Sequence, residues 1–442
     1  MESQSRNSRY RRAVVILSVV AAASLAILLS VNPALTRYVN SPAFRESLEK
    51  ETATGLHFPD FKFGAIRRIG PLDATSDHGI GRQGRKAITS LEAHKITARF
   101  DPGGIFLRRW SIDDLHVERA EIGIQVYEPS FEAPPARPWF AFLLPDRVYL
   151  NHVWSDHADV TWQMRGAPAG IFDTRLVITP HGRDFEYQAS GGVLKNPPFP
   201  SLDVKKVHLL ITKTLFALYG LDVVSGEHGT IHADGTAATH DDKNLNFKIS
   251  WSDLTVAEWL PSNWHGHFTG NADGELKWTG HDYKLDSATM SGGLRIKSGR
   301  VAKIGFLDQV AVISGRPDLR SLALNECRGS FVWQKSDCRV NDLALEEKGK
   351  FRIEGEVRIS EHSLGGKIDL GLAPDYLTWL PRSEEIFPRE SGGYHWTTVH
   401  LGGTLENPQQ DLSPRIVEAL KGSPSALLGA ALRELGAWLR GE

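Results

Sequence analysis

Residues 350–360 of this 442-residue chain read KFRIEGEVRIS. Every second residue is apolar or glycine: Phe351, Ile353, Gly355, Val357 and Ile359. The residues between them are charged or polar. Because side chains alternate between the two faces of a strand, this pattern predicts a β-strand with one apolar face and one polar face. The fold and the function both depend on what the apolar face covers.

The same alternation recurs in EIGIQVY (121–127), in LNFKISW (245–251) and around residues 294–296 and 368–372. Turns containing Gly, Asn or Asp separate the runs, which is typical of antiparallel meanders. We therefore predict a mainly β chain with an antiparallel sheet. Its candidate apolar-face residues are Ile122, Ile124, Val126, Leu245, Phe247, Ile249, Leu294, Ile296, Phe351, Ile353, Val357, Ile359, Ile368 and Leu370. The proline-rich stretch 129–139 is predicted to be a loop.

Composition is that of a folded protein, with 41% hydrophobic and 24% charged residues. The 51 basic and 53 acidic residues give a net charge of −2. A nucleic-acid-binding protein needs a basic stripe, so this balance argues against nucleic acid as a partner.

Residues 13–36, AVVILSVVAAASLAILLSVNPALT, carry no charge. About 20 apolar residues suffice to cross a bilayer. Arginines precede the run at positions 6, 9, 11 and 12, which favours a cytoplasmic N-terminus. A cleaved signal peptide is the alternative, but its apolar core is shorter and ends in a small-residue cleavage site. We predict an uncleaved anchor in a single-pass protein of the inner (plasma) membrane.

Four further segments are predicted to contain a helix. SPAFRESLEKETATG (41–55) has Ser41 as a candidate N-cap and ends at Gly55. Residues 413–442 carry an apolar stripe typical of an amphipathic helix. Segments 245–266 and 366–387 each predict a strand followed by a short helix that ends in Trp-Leu-Pro.

Motifs for catalysis or metal binding are missing from the sequence. His265 and His267 in WHGHF have no third ligand at a recognisable spacing, and no G-x-S-x-G or G-K-[S/T] string is present. We predict a protein that is not an enzyme and has no metal or other cofactor. Cys327 and Cys338 lie on adjoining predicted strands, roughly 23 Å apart along the ladder, so we predict two free thiols.

Pattern alone leaves two arrangements of the apolar faces open. They pack against each other as a sandwich core, or a curved sheet keeps them open as a groove. The membrane anchor at the start of the strands and the small number of helices favour the groove modestly. A sheet of about 15–20 strands would extend roughly 70–95 Å.

The last third of the chain resembles the AsmA-like family of membrane-anchored envelope proteins, the group that includes AsmA, TamB and YhdP. The resemblance rests on SGGLRIKSGRVAKIGFLDQVAVISG (291–315), on the run of strands in 324–373 and on VHLGGTLENPQQDLSP (399–414). At the front, IFLRRWSIDDLHVERAEIGIQVYE (105–128) resembles the segment that follows the anchor in that family.

This resemblance implies a bridge-like lipid transfer protein with a β-gutter lined by apolar residues. It favours the groove, in which the fourteen candidate residues would contact phospholipid acyl chains and Gly355 would leave room for one. Each methylene kept out of water is worth about 0.8 kcal/mol. It also implies a periplasmic location, a role in envelope and outer-membrane biogenesis, and an envelope protein partner. The alternative is an assembly factor for outer-membrane proteins that binds clients by strand addition at exposed sheet edges.

The predicted organisation follows from these segments. It comprises a cytoplasmic tail (1–12), a transmembrane anchor (13–36), a juxtamembrane helix (37–57), an N-terminal β-rich region (58–285), an AsmA-like β region (286–412) and a C-terminal amphipathic helix (413–442).

Overall fold

The structure is a computed structural model. It describes residues 33–84, 88–101, 111–124, 150–164, 167–181, 184–212, 214–238, 244–281, 287–303, 308, 311, 314–361, 363–404 and 408–421. The chain is mainly β, as predicted. It divides into two compact units, of which the first ends at Gly192 and the second begins at Val193. The predicted boundary at 285 and 286, the loop at 129–139 and residues 13–32 of the anchor lie outside the described residues.

The first unit contains the strands β1 (Asp60–Phe63), β2 (Ile66–Arg68), β3 (Asp73–Arg82), β4 (Ile88–Phe100), β5 (Ile112–Ile124), β6 (Val153–Met164), β7 (Ala167–His181) and β8 (Asp184–Ser190). Strands β1 and β2 both pair with β3. The ladder then runs through β4 to β8.

One pairing in the first unit corrects the prediction of an antiparallel sheet. Strands β5 and β6 are parallel, with Leu115 opposite Val153 and Ile122 opposite Val160. Parallel neighbours need a crossover of a dozen or more residues. The connection between Ile124 and Val153 is long enough to provide it, and alternation within the strands does not reveal which way a long connection returns.

Helix α1 (Pro42–Leu56) precedes the first unit's strands. Its N-cap is Ser41, whose side chain accepts the Phe44 N–H at 3.2 Å, as predicted. The predicted end at Gly55 is wrong by one residue, because the left-handed residue that terminates the helix is His57, with φ 60°. Residues 33–39 are also helical. Both segments pack on the sheet in a cluster of buried residues formed by Val39, Phe44, Ile66 and Ala74.

The second unit contains the strands β9 (Val193–Lys195), β10 (Leu202–Ile211), β11 (Leu215–Ser225), β12 (Gly229–Ala238), β13 (Leu245–Thr255), β14 (Phe268–Gly280), β15 (Thr289–Ala302), β16 (Ser321–Leu324), β17 (Glu326–Gln334), β18 (Asp337–Glu347), β19 (Phe351–Ser360), β20 (Ser363–Leu372), β21 (Arg389–Ser391), β22 (Tyr394–Gly403) and β23 (Pro408–Gln410). All its ladders are antiparallel. Strand β15 pairs with both β16 and β17, and β22 pairs with β20, β21 and β23.

Helix α2 (Val256–Trp259) follows β13 and ends at the first Trp-Leu-Pro triplet, as predicted. The second prediction is wrong: a 3₁₀ turn (Pro374–Tyr376) follows β20, and helix α3 (Ser383–Ile386) begins after the triplet at 379–381 and does not end in it. Helix α4 (Leu412–Lys421) follows β23, and the rest of the predicted C-terminal helix lies outside the described residues. No helix in the described ranges has the length and hydropathy to cross a membrane.

Several strands of the second unit are bent locally by bulges and glycines. The register shifts between Trp251 and Leu254 on β13 and between Val340 and Leu343 on β18. Left-handed residues lie at both shifts, Asp253 with φ 59° and Asp342 with φ 50°. Such bulges increase twist and bend a strand.

Gly355 of β19 has φ 148°, and a Cβ at this position would approach the Lys367 carbonyl oxygen of β20 closer than 3.0 Å. The predicted role of Gly355, leaving room for an acyl chain, is therefore wrong. The backbone of β20 occupies that space, because the two paired strands approach each other here to a distance that only glycine permits.

Candidate functional site

The register of the second unit joins the apolar faces of its strands into continuous rows. Val357 of β19 lies opposite Val340 of β18 and Gly366 of β20. Following the directly opposed partners outward gives one row from β10 to β22. It consists of Val207, Leu221, Ala233, Ile249, Leu276, Gly292, Phe331, Val340, Val357, Gly366 and Leu401. Every member is apolar or glycine.

A second row runs beside the first, two residues along each strand except β11, where a register shift makes the spacing three. It consists of Leu209, Leu218, Gly235, Phe247, Trp278, Met290, Trp333, Cys338, Ile359 and Leu364. We call the surface formed by these rows and their neighbours the apolar face. The register thus places all the second-unit candidate residues from Leu245 to Leu370 on this one face.

The opposite face of the same strands is polar, and cross-strand ion pairs follow it. His232 Nδ1 lies 2.6 Å from the Asp222 carboxylate, Lys248 pairs with Glu275 at 3.5 Å, and Arg389 pairs with Asp369 at 3.0 Å. Exposed pairs of this kind contribute little stability, at most about 1 kcal/mol each. Because these charged side chains keep this face in water, an apolar ligand can bind only to the apolar face.

Asp273 on the polar face supports the bulge at Asp253. Its carboxylate accepts the Asp253 N–H at 2.9 Å and pairs with Lys297 at 2.5 Å. The hydrogen bond from Lys297, followed by that from Asp253, lowers the pKa of Asp273. The first unit repeats the arrangement, since Asp159 accepts the N–H of left-handed Asp173 at 2.7 Å.

Inserted segments cover one end of the apolar face. Val256 and Trp259 of α2, with Ala311 and Leu319, pack in a cluster that contains the candidates Ile296, Phe351 and Ile353. A second cluster brings Leu377, Ile386 of α3 and Leu412 of α4 against Ile368, Leu370 and Leu401. These five candidates therefore contact side chains of the chain itself.

The other end of the apolar face stays partly exposed. We call it the open patch and define it by ten partly exposed residues of β14, β15 and β17–β20 that lie outside both clusters: Leu276, Met290, Leu294, Phe331, Trp333, Cys338, Val340, Val357, Ile359 and Leu364. Trp333 is 46% exposed and Leu294 is 36% exposed. Large apolar side chains exposed this far and contiguous across five or more strands mark a binding surface more often than an ordinary wetted surface.

Trp278 borders the open patch and carries a polar group without a partner. Its indole Nε1 is buried and makes no hydrogen bond. The ring packs against Phe247, with centroids 6.0 Å apart. A buried donor without an acceptor costs roughly 1–3 kcal/mol, so a ligand with an oxygen at this level would gain a hydrogen bond. Sequence reasoning did not single out Trp278, because alternation alone shows only that its side chain is apolar.

The two cysteines lie on the apolar face and are free thiols, as predicted. Cys327 is opposite Leu345 and is buried in the covered end, whereas Cys338 is opposite Trp333 in the open patch. Burial raises the pKa of Cys327 to about 11 and raises that of Cys338 as well.

The remaining described candidates are buried or half-buried. Leu245 and Phe247 are at most 8% exposed, and Ile249 is half-buried. In the first unit, Ile124 is buried and Ile122 packs against Ala93, Ile96 and Val117. Val126 lies outside the described residues. Ile122 and Ile124 lie on an apolar face of the first unit. Thr174 is a buried polar residue of this unit, and its Oγ1 donates a hydrogen bond to the Ser190 carbonyl oxygen.

His265 and His267, the residues considered for metal binding, contact main-chain oxygens. The His265 ring nitrogen lies 2.9 Å from the Leu260 carbonyl, and that of His267 lies 3.3 Å from the Ala302 carbonyl. Within the described ranges, His, Cys, Asp and Glu side chains form no group of three or more that could hold a metal ion.

The fold and this surface together define a mainly β protein whose second unit has one polar face and one apolar face. Comparisons of the chain with protein-family models, with curated proteins and with solved structures give no match.

Proposed function

We propose that this protein binds or conducts phospholipid along the apolar face of its second unit and contributes in this way to cell-envelope and outer-membrane biogenesis. The observation that supports the proposal is the pair of apolar rows, one from β10 to β22 and the other from β10 to β20. The resemblance of residues 291–414 to the AsmA-like family suggests the same function. The proposed architecture is a curved β-gutter, anchored in the inner membrane by residues 13–36, with its bulk in the periplasm.

Strand spacing gives the length of the rows. The row through Val357 crosses eleven strands, which at about 4.8 Å per step amounts to roughly 48 Å. Acyl chains would lie on this surface while their headgroups stay in water. Since each methylene kept out of water contributes about 0.8 kcal/mol, ten methylenes in contact would contribute about 8 kcal/mol. Because each strand adds an apolar contact to the row, the free energy of a bound acyl chain would change little as the lipid moves from one strand to the next. The lipid would therefore slide along the row without covalent chemistry.

The covered end and the open patch have different roles in this proposal. Clusters around Phe351 and Leu370 would hold the sheet together, and the open patch would contact lipid. Trp278, whose buried indole N–H has no partner among the described residues, borders this lipid-contacting surface.

Site-specific photo-crosslinking in intact cells tests the proposal on the full chain. A photo-reactive amino acid replaces Val357 in the open patch, and in the matched control it replaces Val332, which is 38% exposed on the polar face two strands away. With phosphorus-32-labelled lipids, we expect a labelled adduct at position 357 and none at 332. No adduct at 357, or equal labelling at both positions, would refute the proposal.

The alternative function, assembly of outer-membrane proteins by strand addition, needs a free sheet edge. At the last long strand, β22, the Asp411 carboxylate accepts the His400 N–H and the Arg415 guanidinium donates to the Thr398 carbonyl oxygen. Strand addition at this position would require those side chains to move.

A further inference from the structure

The turn between β2 and β3 carries the most exposed large apolar side chain in the described part of the chain. Ile69 is 61% exposed, and Leu72 at the other end of the same turn is 36% exposed. Backbone hydrogen bonds order this turn. The Ile69 N–H donates to the Asp73 carbonyl oxygen at 3.0 Å, and the Phe100 N–H donates to that of Leu72 at 2.9 Å. Single exposed apolar side chains need no explanation, but an ordered turn that presents two of them indicates a contact surface.

Arg68 connects this turn to the end of the uncharged run 13–36. Its backbone N–H donates to Asn40 Oδ1 at 2.8 Å. Its guanidinium lies between two oxygens, with Nη1 2.7 Å from Thr36 Oγ1 and Nη2 2.6 Å from the Pro71 carbonyl oxygen. The last residue of the run and the turn therefore lie on two sides of one planar group, which holds them close together.

A series of aromatic contacts brings a third exposed side chain to the same place. Tyr38 is 47% exposed and packs edge-on against Phe44, with ring centroids 5.5 Å apart. Phe44 packs in turn against Phe100 at 6.4 Å, and Phe100 is hydrogen-bonded to Leu72. We call Tyr38, Ile69 and Leu72 the anchor-side tip.

Basic side chains flank the anchor-side tip. Arg37 and Arg67 are both exposed, and the guanidinium of Arg67 lies 4.0 Å from the Asp77 carboxylate, at the limit of an ion pair. The carboxylate at the end of the turn, Asp73, is paired with Arg99 at 2.9 Å, so its negative charge is compensated. Apolar and aromatic side chains flanked by arginines are the composition that binds between the headgroups and the acyl chains of a phospholipid membrane.

We propose that the anchor-side tip inserts into the headgroup region of the membrane that residues 13–36 are proposed to cross. The membrane is the occupant because the Arg68 contacts hold the tip at the end of that run, where a membrane-spanning segment leaves the bilayer. The contact depends on the proposed anchor and does not depend on movement of lipid along the second unit. Strand β3 begins at the tip, so its direction relative to the membrane would be fixed by the three side chains together with the anchor.

The test uses the full chain reconstituted in vesicles of phosphatidylethanolamine with a smaller share of phosphatidylglycerol. An environment-sensitive fluorescent amino acid replaces Ile69. In the matched control it replaces Arg82, an exposed residue at the far end of β3, about 30 Å from Asp73 at the usual rise per residue. Spin-labelled phospholipids carry the quencher either near the headgroup or near the end of the acyl chain. Flotation of the vesicles measures how much of the chain is bound to the membrane.

We expect the shallow quencher to reduce the fluorescence at position 69 about twofold or more, and the deep quencher to reduce it less, because interfacial groups are buried by about 5–10 Å. Fluorescence at position 82 should not be quenched. Unquenched fluorescence at position 69, or equal quenching at the two positions, in a chain that floats with the vesicles would overturn the tip contact and leave the anchor standing. A chain that does not float would overturn both. Lipid binding by the second unit is measured separately, by the crosslinking at Val357.

A second labelled position covers the case in which the Ile69 variant loses the wild-type thermal transition. The fluorophore then replaces Leu72, whose side chain is exposed at the other end of the turn. We expect the same preference for the shallow quencher at this position, and its absence in a chain that floats would overturn the contact.

Discussion

Replacing Gly355 by alanine should destabilise the second unit, although the change adds only one methyl group. At φ 148° a side chain is strained wherever it points, at a cost of about 1–3 kcal/mol. The new Cβ would also approach the Lys367 carbonyl oxygen of the next strand, which has to shift. A central value of about 2 kcal/mol corresponds to a Tm lowered by roughly 4–8 °C in a unit of this size.

The neighbouring strand offers a matched control for this prediction. Gly365 of β20 lies opposite Arg358, and a Cβ built on it meets nothing within 4 Å. Gly365→Ala should leave Tm unchanged or raise it slightly, since alanine lowers the entropy of the unfolded chain by the equivalent of about 0.4–1 kcal/mol. The assay is thermal unfolding of the full chain in detergent, followed by tryptophan fluorescence. Equal Tm values for the two alanine variants would refute the close-approach explanation for Gly355.

Two further predictions use the native thiols and the bulge network. In detergent-solubilised protein, a maleimide should label Cys338 at least about tenfold faster than Cys327, because the pKa of about 11 and the burial of Cys327 in the covered end suppress its thiolate. Lipid added in bicelles should slow the labelling of Cys338 only. Equal labelling rates of the two cysteines, measured by mass spectrometry, would contradict the placement of the two thiols. Because the pKa of Asp273 is lowered in the folded state, its stabilisation is present above the ordinary carboxyl pKa and is lost as the pH falls below it. Asp273→Asn should therefore lower Tm by about 1–3 °C at pH 7 and by less at pH 3, and a difference that grows toward acid pH would show that the sign is wrong.

Alternation in the sequence was sufficient to predict the strand class and the membership of the apolar face. KFRIEGEVRIS and LNFKISW each place their apolar residues at every second position, and the observed register brings them to one face. The ends of the strands were predicted less accurately than their existence. The run predicted at 121–127 belongs to a strand that begins nine residues earlier, at Ile112, because polar residues such as Asp113 and Asp114 obscure its start.

The bulges left a signal that simple alternation does not use. Apolar-face residues on either side of a bulge are three positions apart, as with Trp251 and Leu254 or Val340 and Leu343, and an aspartate precedes the second of each pair. Aspartate tolerates the left-handed conformation better than most residues, which gives the pattern a physical reason. A search for apolar spacing of three around an aspartate would have located both sites.

Other features depend on tertiary contacts that no local pattern specifies. The parallel pairing of β5 and β6 depends on how a long connection returns to the sheet. Which end of the apolar face the inserts cover depends on the packing of Trp259 and Ile386. The side chains of Asp411 and Arg415 bond to the backbone of His400 and Thr398, and the sequence shows only that these residues are polar.

The row arrangement of the second unit makes its length adjustable in fixed increments. Each strand contributes one residue to each row, so a hairpin inserted between existing hairpins would lengthen every row by two places, or about 9.6 Å, and leave the width of the apolar face unchanged. An even number of added strands also preserves the direction of the strands that follow, including β22. The number of hairpins therefore sets the length of the apolar rows, and this length can change while the width of the apolar face stays the same.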